Sequence, residues 1–284
     1  MFDLEKLKKI ELVVFDVDGT LVNDEGEIGD RTRQLILSLK KCGVLFSFAS
    51  GRLHSALLPL AEDLKIYSPL ISLDGSAIKS VSGKYFVYRS FLKQNQVKKA
   101  IEYSEKYLLN IALCHTEAIY FTEQNSVIPK LMDKFGAVYE EVNSYDDLTT
   151  KTLEIVFAGD NRRAVEFVRD KLSFPLTFGT SVSFFRSQTH EGIYYLEVRR
   201  SGSSKGKAMQ RLLKYLKIKE GRTAVLGDWY NDLSLFKTKG LKIAVSNAIP
   251  ELKKDADYVL TKSNNEEGVV EFLEALYNAK SPKL

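Results

Sequence analysis

Hydrophobic and polar positions along the chain follow two patterns, and the change between them predicts the architecture. Residues 10–17 form a nearly continuous apolar run, as expected of a parallel strand buried on both faces. The next segment is periodic at helical spacing. It opens near the N-cap candidate Asp30, carries Leu35, Ile36 and Leu39 on one face and stops at Gly43. A second apolar strand is expected over 44–49, then Ser50-Gly51-Arg52 and a helix over about 53–65, kinked or broken at Pro59. A third strand over 70–73 runs into Asp74-Gly75-Ser76. This strand–helix alternation predicts an α/β fold with a Rossmann-like, doubly wound parallel sheet. The same pattern returns near the end, with helices expected over 205–216, 231–237, 250–254 and 269–276. Strands are expected over 223–226, 242–245 and 258–260.

The middle reads differently. Aromatic, alternating segments at 85–88, 111–121, 152–157, 182–185 and 193–198 are interleaved with helical patterns near 94–108, 124–135 and 161–172. Such alternation predicts an antiparallel sheet with one covered and one open face. The simplest organisation is a discontinuous core of residues 1–82 and 199–284, interrupted by an inserted α+β domain at 83–198.

Composition narrows the functional classes. A chain of 284 residues is long enough for two domains, and 44% hydrophobic with 27% charged residues is ordinary for a soluble globular protein. The net charge of +4 is small and its lysines and arginines are scattered, so no nucleic-acid partner is expected. No apolar run approaches a membrane span, and Asp3, Glu5 and Lys6 at the start do not make a signal peptide. Cys42 and Cys114 stand alone, without metal-ligand or disulfide spacing. A soluble, cytoplasmic protein without a membrane partner is expected; its oligomeric state is not legible.

Four polar clusters fall at the C-terminal ends of expected core strands or at helix starts, the places where open α/β sheets bind ligands. Asp16 and Asp18 follow the first strand, two apart, with Gly19 allowing a sharp turn. Such a pair can hold a divalent cation, or one carboxylate can act as a nucleophile; alone, it is also a common strand-to-turn sequence. Ser50 follows the second strand at an expected helix start, where a hydroxyl and free N–H groups suit a phosphate oxygen or merely cap the helix. Lys205 opens a helix and can set a positive charge near an anion. Gly227-Asp228-Trp229-Tyr230-Asn231-Asp232 follows the strand 223–226 and brings two carboxylates and an amide to the sheet edge. Each cluster alone has an ordinary structural explanation. Together they supply oxygen ligands for Mg²⁺ and both a cation and donors for a phosphate dianion.

The four motifs resemble those of the haloacid-dehalogenase-like (HAD) superfamily, and the large insert between the second and third resembles the cap of its Cof-type phosphatases. The stretches 243–248, 256–259 and 264–268 are also similar to that subfamily. The resemblance implies a Mg²⁺-dependent phosphatase of small phosphate monoesters, sugar phosphates or phosphorylated cofactors. Asp16 is then the nucleophile that forms an aspartyl-phosphate, and Asp18 the acid and base. It further implies that Asp16, the backbone carbonyl of Asp18 and Asp228 ligate Mg²⁺. Ser50, the Gly51 amide, Lys205 and Asn231 hold the phosphoryl oxygens, and Asp232 supports them from behind. A phosphotransferase or phosphomutase using the same intermediate, or a catalytically silent sugar-phosphate-binding protein, are the alternatives.

Two positions depart from that pattern. Asp74 stands where these phosphatases usually carry Asn; it either fixes the turn or adds a carboxylate near the substrate. Trp229 occupies a position where a small residue is commoner, and either packs against protein or narrows the pocket as a stacking face. His54, His115 and His190 lack metal-ligand spacing, and His190 with Arg186 are weak candidates for substrate contact.

Overall fold

The computed structural model describes residues 2–132, 136–187 and 190–281. In chain order the strands are β1 (Leu12–Phe15), β2 (Leu45–Phe48), β3 (Leu70–Ser72), β4 (Ala77–Lys79) and β5 (Phe86–Arg89). They continue with β6 (Asn110–Cys114), β7 (Ile119–Phe121), β8 (Tyr139–Glu141), β9 (Glu154–Gly159), β10 (Thr180–Arg186) and β11 (Tyr194–Arg200). The last are β12 (Thr223–Gly227), β13 (Leu241–Ala244) and β14 (Tyr258–Val259). The chain divides into two compact units. The first comprises residues 1–51, 57–88 and 204–284, and the second residues 52–56 and 89–203.

The first unit is built on a five-stranded sheet in the order β14-β13-β12-β1-β2, with every pairing parallel. β1 lies inside this sheet between β12 and β2, with Leu12 facing Thr223 on one side and Leu45 on the other. Its four apolar side chains are wholly buried, as a central parallel strand requires. A parallel bridge between Ala49 and Ile71 ties the end of β2 to β3, which starts a separate three-stranded sheet, β3-β4-β5. The helix Asp30–Lys41 buries Thr32, Leu35, Ile36 and Leu39, and the helix Val269–Lys280 buries Val269, Phe272, Leu273 and Leu276. These two helices pack against each other.

The second unit holds a six-stranded sheet, β10-β11-β9-β6-β7-β8, antiparallel apart from the parallel pair β7–β8. Its core is made by Val97 and Ala100 of the helix Gln94–Tyr107, Val165 and Val168 of the helix Arg162–Lys171, and Ile111, Phe157 and Leu196 of the strands. Among the described residues, no helix is long and apolar enough to cross a membrane.

Several local expectations are corrected. Asp30 is the first helical residue and not the cap; Gly29 is the cap and offers no side-chain bond. The carboxylate of Glu267 serves instead, accepting from the Thr32 amide at 2.8 Å and the Thr32 hydroxyl at 2.7 Å. Gly29 is required for this, because a Cβ there would stand 1.9 Å from the Glu267 carboxyl carbon. Pro59 sits inside the helix His54–Asp63, which continues past it. The segment 111–121 is two strands, since the chain turns back after Cys114. The expected helix 124–135 contracts to a 3₁₀ turn, Glu123–Asn125, and the short helix Ile128–Leu131, with positions 133–135 outside the described residues.

Candidate active site

Everything at the site follows from where strands end. β1 stops at Phe15, and the Asp16 amide still donates to the Leu226 carbonyl at 2.9 Å, so its side chain leaves the sheet at the strand's C-terminal edge. Asp16 is buried, whereas Asp18, past the end of the strand, is exposed. Gly19 then turns the chain with φ +75°, a conformation that glycine adopts without strain. A Cβ at Gly19 would lie 2.4 Å from Asp228 Oδ2, so the turn also leaves room for a second carboxylate.

That carboxylate comes from the loop after β12. Asp228 is buried, and its Oδ1 accepts the Thr20 hydroxyl at 2.8 Å. The expected helix 231–237 is instead a 3₁₀ turn, Tyr230–Ser234. Its cause is Asp232, fully buried, whose Oδ2 accepts the backbone amides of Asp228 at 3.0 Å and Trp229 at 3.1 Å. Gly227 permits this fold-back, since a Cβ there would be 2.7 Å from Asp232 Oδ2.

Lys205 joins the two loops. It is the first residue of the helix Lys205–Leu216, capped by the Ser204 hydroxyl, which accepts from the Lys207 amide at 3.3 Å. Gly206 lets this helix press on the 3₁₀ turn, because a Cβ there would stand 2.0 Å from the Ser234 carbonyl oxygen. The Lys205 ammonium donates to Asp16 Oδ1 at 2.6 Å and to Asp232 Oδ1 at 2.7 Å. The lysine itself is 1% exposed.

The electrostatics are those of a crowded, dry site. Burial pushes the Asp16 carboxyl well above the usual carboxylate range; Asp232 and Asp228 add to this and Lys205 opposes it. Burial, with Asp232 nearby, pushes Asp228 up to about 6, against the hydrogen bonds from Thr20 and Asp16. Burial disfavours the Lys205 ammonium, but Asp16 and Asp232, and Asp74 beyond them, more than offset it and hold the lysine charged.

Among the described residues, Asp16, Asp228 and Asp232 form a group whose carboxylate oxygens all lie within 4.8 Å of one another. When all three are ionised, three carboxylates against one ammonium leave two negative charges uncompensated. Hard oxygen donors with that deficit fit a divalent cation such as Mg²⁺. Asp232 is already committed to Lys205 and two backbone amides, which leaves Asp16 and Asp228 as the carboxylates suited to the ion.

Ser50 is buried beyond β2, but the helix starts only at His54, so the serine is not at a helix N-terminus. Its backbone links strands instead: the amide donates to the Ile71 carbonyl, and its carbonyl accepts from the Asp74 amide, each at 3.0 Å. Asp74 adopts a left-handed conformation and accepts the Asn231 side-chain amide at 3.1 Å. Trp229 is 44% exposed, its ring at 79° to that of Tyr230, so it is not a core residue. Arg186 is exposed beside Glu191, and His190 donates its backbone amide to the Ser187 hydroxyl.

Sequence reasoning did not single out Thr20, which orients Asp228, or Asn247, which donates to the Gly19 carbonyl at 2.8 Å. Asn264 extends this bracing, donating its backbone amide to the Asn247 side-chain oxygen at 3.1 Å and its side-chain amide to the Val22 carbonyl at 3.1 Å. Thr20 sits inside the first motif, and the two asparagines lie in the stretches 243–248 and 264–268, where the sequence assigns them no role.

An open parallel sheet with a buried lysine and carboxylates that could hold a metal gathered at its C-terminal edge is the arrangement of an α/β enzyme. The family model of the haloacid dehalogenase-like hydrolases matches residues 13–273. The chain belongs to that family, and its curated relatives make it a phosphatase of the Cof type. The 5-amino-6-(5-phospho-D-ribitylamino)uracil phosphatase YwtE of Bacillus subtilis is 27% identical over 292 residues, covering 95% of this chain and 99% of the relative. Phosphatase YwpJ of the same organism is 25% identical over 295 residues, covering 94% and 100%. A haloacid dehalogenase-like hydrolase from Bacteroides thetaiotaomicron superposes with a TM-score of 0.79 at 27% identity, covering 93% of this chain and 98% of that one.

Proposed function

We propose that this phosphatase hydrolyses small phosphorylated metabolites, sugar phosphates or phosphorylated cofactors, with Mg²⁺ and through an aspartyl-phosphate on Asp16. The observation that carries the proposal is the buried Lys205 ammonium bridging Asp16 and Asp232, with Asp228 beside them. Asp16, the Asp18 backbone carbonyl and Asp228 would hold the ion. When bound, Mg²⁺ supplies positive charge that lowers the repulsion between a carboxylate nucleophile and a phosphate dianion.

An Asp16 oxygen attacks phosphorus as the ester P–O bond breaks, and the departing alkoxide takes the proton of Asp18. Asp18 then removes a proton from water, whose oxygen attacks phosphorus, releasing phosphate and restoring the Asp16 carboxylate. Ser50, the Gly51 amide, Lys205 and Asn231 hold the phosphoryl oxygens, and Asp232 keeps Lys205 in place. Cys42 and Cys114, neither of them in a disulfide, suit a reducing, cytoplasmic setting.

The uracil phosphatase named above acts on a phosphorylated sugar-like chain bearing a heterocycle, which supports this substrate class. The test is a phosphate-release screen over about a hundred phosphorylated metabolites with Mg²⁺. Labelled phosphoryl trapped by acid on wild type and not on Asp16→Asn supports the intermediate. Turnover by Asp16→Asn within tenfold of wild type, or indifference to EDTA, overturns the mechanism. Label appearing in a second alcohol instead of phosphate identifies a phosphotransferase.

A further inference from the structure

The geometry points to Asp74 as a positioning residue that fixes the orientation of Asn231 for the phosphoryl group. This inference rests on the phosphatase reading of the same site. Asn231 Nδ2 donates to Asp74 Oδ1 at 3.1 Å, across 157 positions of sequence. The carboxylate belongs to a turn made of consecutive left-handed residues: Leu73 at φ 47°, Asp74 at φ 48° and Gly75 at φ 95°. Such a run is unfavourable for non-glycine residues and persists only where its surroundings hold it.

Two neighbours hold this one. The Asp74 amide donates to the Ser50 carbonyl at 3.0 Å, and Gly75 is packed so closely on the start of the Lys205 helix that a Cβ there would be 2.4 Å from the Ser204 carbonyl oxygen. The Asp74 carboxylate also lies beside Gly51, 3.4 Å from where a Cβ on that glycine would be. Asp74 therefore stands among Ser50–Gly51, Lys205 and Asn231, all of them assigned above to the phosphoryl oxygens.

The chemistry of an amide explains why a carboxylate serves here. An asparagine side chain has a donor end and an acceptor end, and rotation by half a turn exchanges them. An ionised carboxylate only accepts, so it pairs with the NH₂ end and repels the carbonyl end. One N–H is used on Asp74 and the second remains available for an anion. A side chain able to donate as well as accept would tolerate both orientations. The position that departs from the family pattern is thus the one that sets the amide, and the turn places it.

The experiment is a double-mutant cycle on kcat/KM with p-nitrophenyl phosphate and Mg²⁺, combined with NMR of the Asn231 side-chain amide. Asp74→Gly removes the carboxylate while accepting the left-handed backbone, so the turn is kept. We expect Asp74→Gly to lower kcat/KM about tenfold in wild type and less than twofold in Asn231→Ala, the size of one lost hydrogen bond. Asp74→Asn, which keeps an acceptor but can also donate and so tolerates both orientations, recovers only part of that loss. The amide signal, assigned by its loss in Asn231→Ala, shifts in Asp74→Gly.

A structural or purely electrostatic role for Asp74 predicts equal effects in the two backgrounds, and that result overturns the inference. So does an Asn231 amide signal that Asp74→Gly leaves unmoved. If wild type turns over no phosphate ester at all, the phosphatase reading fails, and the amide signal alone decides whether Asp74 sets Asn231.

Discussion

The buried Lys205 ammonium donates to Asp16 Oδ1 at 2.6 Å, and the two residues are 189 positions apart in sequence. The contact joins the first strand of the sheet to a helix that begins after the second unit, so the position of Asp16 depends on both halves of a divided unit. It also fixes the charge balance, because the same ammonium serves Asp232 at 2.7 Å.

Removing that charge is expected to harm folding as well as chemistry. Lys205→Met fills a similar volume but leaves two buried carboxylates without a counter-charge, for which losses of about 3–5 kcal/mol are typical. Denaturant unfolding should show that loss at pH 7.5, with part of it recovered near pH 5 where the raised Asp16 carboxyl takes up a proton. Activity should fall below detection at both values. A stability within 1 kcal/mol of wild type at pH 7.5 contradicts the charge-balance account.

How far the sequence reveals this site depends on the range of each interaction. The strands and the positions of Asp16, Lys205 and Asp228 are legible because apolar runs and strand-end carboxylates are local signals. β1, β12 and the helix Lys205–Leu216 lie close to where the pattern puts them. What is not legible are the bonds made across the chain. Glu267 caps a helix that starts at Asp30, and Asn231 meets Asp74; neither partner carries a mark of the other in its own neighbourhood. The helix expected after Asp228 fails for a related reason. Asp232 turns back onto the amides of Asp228 and Trp229, a choice made by its burial and not by the helical periodicity of Leu233 and Phe236.

The turn after Asp18 makes a separate prediction. Gly19→Ala places a Cβ at φ +75° and 2.4 Å from Asp228 Oδ2, whose partner oxygen is held by Thr20. The backbone strain alone is of order 1 kcal/mol. The larger effect is displacement of a carboxylate proposed to hold the ion. We expect the apparent Mg²⁺ affinity, read from the activity's dependence on Mg²⁺, to fall at least tenfold. Thermal unfolding of the metal-free protein should change only modestly. Unaltered Mg²⁺ dependence removes Asp228 from the metal site.

The raised Asp228 carboxyl makes a prediction about pH whose sign is fixed by linkage. Its pKa in the folded protein is about 6, against an ordinary 3.8, so the folded state binds more protons than the unfolded chain between these values. Stability of the EDTA-treated protein is therefore lost as pH rises from about 4 to about 6, and the loss is complete above 6. Asp228→Asn has no such carboxyl. The stability of wild type relative to this variant should consequently decline across that window, by a few kcal/mol given the size of the shift. A cation reverses the preference, since it binds the ionised carboxylate and releases the proton. Stabilisation by Mg²⁺ should therefore grow from pH 4 to 6, level off above it and be largely absent in Asp228→Asn. Calorimetry on both proteins, with and without Mg²⁺, measures the four curves. If the two metal-free curves run parallel from pH 4 to 6, Asp228 is not the buried, proton-binding carboxyl described here.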